Sequence, residues 1–147
     1  MASFRHISFI LLSLFLLFNS CKKAGDIVNN PLLEQYFETN VLNRNFTVSL
    51  ATDGNADLTS NYNSYIFVLL KTDYYHGPLK ATNGSNVYMG TWSSNDDYSK
   101  LEITLPVPPS EFTFLNRAWR FTSKSFPTMK LSPWGNTQPL VLHMYRQ

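Results

Sequence analysis

The chain has 147 residues, 12 of them lysine or arginine and 10 aspartate or glutamate, for a formal charge of +2. That near-neutral balance, with its basic residues scattered, excludes the electrostatic footprint of a nucleic-acid binder, and a single cysteine excludes a disulfide framework within the chain. Aromatic and charged residues each make up 15% of the chain, a composition that suits pleated, half-buried surfaces and predicts an all-β domain.

In chain order the first segment is a targeting pattern. Arg5 and His6 precede an apolar run from Ile7 to Phe18, interrupted by Ser8 and Ser13, and the lone cysteine, Cys21, follows directly. The run is shorter than the ~20 apolar residues that cross a bilayer. With a basic start, a short apolar middle and Ser20 before the cysteine, it resembles a bacterial lipoprotein signal peptide. Phe18 and Asn19 depart from the strict lipobox. The resemblance implies cleavage of residues 1–20 and acylation of Cys21, with a tether over 21–30 and a single domain over 31–147. It also implies a lipid-anchored protein of the bacterial cell envelope, in the outer membrane with its face open, whose first partner is the bilayer.

Residues Pro31 to Val41 predict a short amphipathic helix, with Leu33, Tyr36, Phe37 and Val41 on one face and Asn30 as its cap. Strand signals then recur. Asn45 to Ala51 alternates, with Phe46, Val48 and Leu50 on one face, and a turn-rich stretch runs from Thr52 to Asp57. Ser64 to Lys71 is nearly continuous in apolar residues. Pro78 to Thr82 and Asn86 to Ser93 are paired strands around an Asn83-Gly84 turn. Tyr98 to Leu105 places Leu101, Ile103 and Leu105 on one face. Ser110 to Leu115 reads as a helical turn, and Arg117 to Ser125, Thr128 to Ser132 and Pro139 to Arg146 as the last strands. About eight short strands joined by tight turns predict an antiparallel meander. Eight is also the number at which a meander closes into a small barrel. A β-sandwich is the alternative.

The run Asn86-Val87-Tyr88-Met89-Gly90-Thr91-Trp92, then the Leu101-Glu102-Ile103-Thr104-Leu105 strand, then Trp119 and Phe121 ahead of Met129-Lys130-Leu131, is similar to small lipocalin-like lipoproteins of Gram-negative bacteria. Its Gly-x-Trp falls mid-chain rather than near the start of the barrel. The resemblance implies a calycin-type barrel on a lipid tether and a small hydrophobic ligand.

Catalytic patterns are absent from the chain: there is no Gly-x-Ser-x-Gly, Walker loop or His-Glu-x-x-His. Asp53, Asn55 and Asp57 have the alternate spacing that opens a calcium loop, but positions six and twelve are Leu58 and Ser64, where an EF-hand needs glycine and an acid. A plain turn is the reading, with those three as weak metal candidates. His76 and His143 lack neighbouring ligands. Asp96, Asp97, Glu102 and Glu111 are the carboxylates from which a hydrolytic pair would have to be drawn. The expectation is a protein without enzymatic activity or cofactor. Trp92, Trp119 and Phe121 would line a barrel cavity, and Tyr74, Tyr75 and Trp134 would form a binding lip in loops. Two functions follow. One is a tethered barrel that binds a small hydrophobic or aromatic ligand in its interior. The other is a structural or interaction module whose interior is filled and whose loops contact an envelope protein or glycan.

Overall fold

Nine strands form one antiparallel sheet that closes on itself. The computed structural model describes residues 31–147; the expected signal peptide, Cys21, the expected tether and the expected Asn30 cap lie outside the described residues. Helix α1 (Pro31–Asn40) leads into β1 (Asn45–Asp53) and β2 (Ala56–Asp57), then a 3-10 turn (Thr59–Tyr62). The meander continues through β3 (Tyr65–Leu69), β4 (His76–Asn83), β5 (Asn86–Ser94) and β6 (Lys100–Thr104). A four-residue helix, α2 (Phe112–Leu115), precedes β7 (Arg117–Ser123), β8 (Thr128–Pro133) and β9 (Leu140–Arg146).

Closure is made by β1, which pairs with β3 at its start and with β9 along its whole length, from Phe46 opposite Arg146 to Asp53 opposite Leu140. The result is an eight-stranded antiparallel barrel of β1 and β3–β9, with β2 as an extra strand on β1. Closure removes the open sheet edges that a sandwich would leave, so the barrel expected from the strand count is the observed fold.

Three local corrections have physical causes. A bulge at Ser49 inserts one extra residue opposite β9, which flips the side-chain parity. Ala51 therefore takes the inward position expected of Leu50, which is left half-buried. The β4–β5 turn is Gly84-Ser85 rather than Asn83-Gly84, because Asn83 pairs with Asn86 and the positive φ of 58° falls on Gly84. Tyr98 does not begin β6. It sits in the preceding turn at φ 53°, wholly buried.

Both barrel mouths are plugged. At one end α1 lies across the opening. Phe37 packs on Tyr98 at 4.5 Å, on Trp92 at 5.8 Å and on Phe121 at 6.4 Å between ring centroids. Tyr36 donates to the Lys124 carbonyl and Asn40 accepts from Arg146, which ties the helix to the β7–β8 loop and to β9. At the other end Phe112 is driven in between Tyr65 and Tyr88, 5.2 Å from each ring. Pro106, Pro108 and Pro109 stop β6 there, since proline cannot donate to the ladder. Asn116 stands in for the lost strand partner, its side chain bonding both the N–H and the carbonyl of Leu105 at 2.6 and 2.8 Å.

Candidate functional site

Of the residues expected to line a cavity, the two tryptophans are deeply buried, and Trp92 also borders an open hollow on β4 and β5. Trp92 and Trp119 are buried to within 1% of their surface, and each indole N–H is bonded to a carbonyl, Leu70 at 2.8 Å and Leu115 at 3.0 Å. Phe46, Leu69, Ala81, Leu101, Met129 and Leu142, from six different barrel strands, have no surface that water reaches. A void large enough for a ligand would leave such side chains with exposed surface, so these inward faces are in contact with one another. Phe121 is half-buried against Phe37.

The loop aromatics do not form a common lip. Tyr75 folds onto Tyr98 at 5.5 Å and donates its hydroxyl to Glu34 of α1 at 2.6 Å. Tyr74 lies beneath the Lys71 ammonium, 4.1 Å from its ring centre. Both belong to the α1 end. Trp134 is 39% exposed in the turn after β8, at the opposite end of the barrel.

The calcium-like spacing resolves into a hairpin and a short Asp57–Thr59 contact. Asp53 pairs with Ala56 across the β1–β2 turn. Asp57 accepts the Thr59 N–H at 2.8 Å, and the Thr59 hydroxyl first and its N–H second hold the Asp57 carboxyl below its ordinary range. Among the described residues no cluster of three or more His, Cys, Asp or Glu side chains comes together. The carboxylates considered for hydrolysis do not converge either. Asp97 bonds Ser99, and Glu102 pairs with Lys100 at 3.0 Å on the outer wall, while Glu111 is at the α2 end.

Among the described residues, two concavities that open to solvent stand out. One is a hollow of about 440 Å³ along β4 and β5, bordered by His76, Gly77, Pro78, Gly90, Thr91 and Trp92. Gly90 is required there: a Cβ would lie 2.0 Å from the Thr104 carbonyl oxygen. The hollow's one ionisable group, His76, is turned to Asp73 at 3.0 Å.

The second concavity is a cleft of about 530 Å³ at the end away from α1. Its walls are the end of β1 at Asp53, the 3-10 turn with Asn61 and Tyr62, the α2 segment from Ser110 to Phe114, and Arg117 at the start of β7. The walls are latched together. The Tyr62 hydroxyl donates to the Glu111 carbonyl at 2.7 Å, and the Tyr65 hydroxyl donates to the Glu111 carboxylate at 2.8 Å. Burial, reinforced by the Glu111 charge, raises the Tyr62 hydroxyl well above its ordinary value, so it is a permanent donor. The Arg117 guanidinium rests near the Phe114 and Trp119 rings, 5.3 and 5.5 Å from their centres. Its Nη2 makes one long bond, 3.4 Å, to the Thr113 carbonyl, and its Nε is buried without an acceptor.

Reasoning from sequence missed this cleft. Its lining comes from four separated stretches, and the one available signal was an arginine between two aromatic residues, Phe114 and Trp119. Among the described residues no helix is long and apolar enough to cross a membrane. No protein-family model, curated protein or solved structure matches the chain.

Proposed function

We propose that the chain is a non-enzymatic interaction module of the bacterial cell envelope, held to the membrane by lipid on Cys21, with its recognition surface at the barrel end opposite α1. The observation that carries this reading is the filled interior. Inward side chains buried against one another favour the barrel's surface as the place of binding. The second observation is the placement of α1. Ten residue steps join Cys21 to Pro31, a reach of at most ~35 Å, so a lipid on Cys21 would keep the α1 mouth on the membrane side. The cleft and Trp134 would then face away from the lipid.

Metabolic labelling of the full chain with radioactive palmitate in a Gram-negative host tests the anchor. Cys21→Ser is expected to lose the label and to leave the membrane fraction; an unlabelled wild-type chain sinks the lipoprotein reading. Photo-crosslinking side chains placed at Asn61 or Thr113, on the cleft rim, are expected to capture an envelope component that the same group at Lys124, on the α1 end, does not. Equal capture from both ends would remove the cleft end from this role.

A further inference from the structure

We propose that the cleft between the 3-10 turn and α2 is a binding site for a small carboxylate that also carries hydrogen-bond donors, an α-amino or α-hydroxy acid unit, with Arg117 as the residue that grips the carboxylate. The inference deepens the assignment of recognition to this end of the barrel. It does not depend on the lipid anchor.

Arg117 is the one cation in the cleft lining. A guanidinium offers five N–H donors in a planar fork that matches a carboxylate. Here it makes one long bond to a carbonyl, and a buried Nε has no acceptor at all. An unsatisfied buried donor is costly, and at the α1 end of the barrel two lysines are paired with carboxylates. Lys71 pairs with Glu38 at 2.6 Å and Lys100 with Glu102 at 3.0 Å. Among the described residues Arg117 has no carboxylate within ion-pair reach, although Glu111 and Asp53 line the same cleft. The Glu111 carboxylate is held by the Tyr65 hydroxyl, and its backbone carbonyl by Tyr62.

The Phe114 and Trp119 rings beneath the guanidinium shield it from water and strengthen its pairing with an anion. The Glu111 and Asp53 carboxylates set the rest of the specificity. They repel a dianion such as inorganic phosphate and accept hydrogen bonds from ammonium or hydroxyl groups. About 530 Å³ is room for a ligand of roughly dipeptide size.

The test is NMR titration of the full chain in detergent micelles, following the Arg117 Nε–H resonance. The probes are glycyl-alanine, glycerate, acetate and inorganic phosphate. Glycyl-alanine or glycerate is expected to shift that resonance saturably at millimolar concentration or below, about tenfold more tightly than phosphate. Saturation by glycyl-alanine alone assigns the amino-acid class, and by glycerate alone the hydroxy-acid class. Arg117→Gln should abolish the effect on neighbouring amides, and Arg117→Lys should weaken it by about fivefold or more. Asn61→Trp, a change at an exposed rim residue, should block binding with no change in thermal stability, which keeps the test valid if the arginine variants fold poorly. No saturable shift, unchanged binding in both Arg117→Gln and Asn61→Trp, or tighter binding of phosphate than of both carboxylates overturns the proposal. Carboxylate binding that persists when rim crosslinks are absent supports this site and removes only the envelope-partner reading.

Discussion

Tyr98 shows how one residue serves packing at the expense of a polar group. Its ring is the closest neighbour of Phe37 and the platform for Tyr75, yet its buried hydroxyl makes no hydrogen bond of good geometry, with the Tyr75 hydroxyl near it. Removing that oxygen while keeping the ring should therefore stabilise the fold. Tyr98→Phe is expected to raise the unfolding free energy by about 1 kcal/mol, read as a higher urea midpoint at unchanged slope. His143 makes an opposite, pH-dependent case. Partial burial first, and the neighbouring Lys130 second, hold its pKa below the ordinary 6.5. The unfolded chain therefore takes up a proton at a pH where the folded chain does not, so stability is full above pH 6.5 and falls as the pH drops below it. Urea midpoints of His143→Gln, measured across that range, should decline less on acidification than those of the wild type.

At the scale of elements, α1 is a plug rather than a surface helix. It is ten residues long, too short to be stable alone, and its one fully buried side chain, Phe37, links Trp92, Tyr98 and Phe121. Phe37→Ala is expected to cost about 3–5 kcal/mol and to admit water to the Trp92 indole, seen as a red shift in tryptophan emission. Asn43, with φ 57°, makes the turn from α1 into β1 and accepts the Lys71 N–H through its side chain. Asparagine tolerates that left-handed conformation at a helix end. The helix itself was legible from Leu33, Phe37 and Val41. Its place across the barrel mouth was not, because the partners of Phe37 lie 55 to 84 positions further along the chain.

At the scale of the molecule, the two functional readings differ in what the barrel interior would hold. Native mass spectrometry of the full chain from its own host, released from detergent, is expected to give a mass accounted for by protein and acyl lipid alone. A reproducible further mass of a small apolar molecule, lost on denaturation, would restore an interior carrier and require the packed core to open. Charge adds nothing against either outcome, since +2 over 147 residues is close to neutral.

The sequence by itself determined the strand-rich class, the order of the elements and most of the inward faces. Those are local matters: alternation places Leu101 with Ile103 and Leu140 with Leu142 whatever the partners are. It also placed the short helix and the prolines that end β6. Tertiary structure decided the rest. Whether β1 would meet β9 and close the barrel depends on pairing between chain ends, and alternation is the same in a barrel and a sandwich. Where alternation breaks, at the Ser49 bulge, parity is set by the partner strand. The cleft around Arg117 exists because Asp53, Asn61, Glu111 and Arg117 arrive from separate segments, and the proximity of segments distant in sequence is a product of the fold.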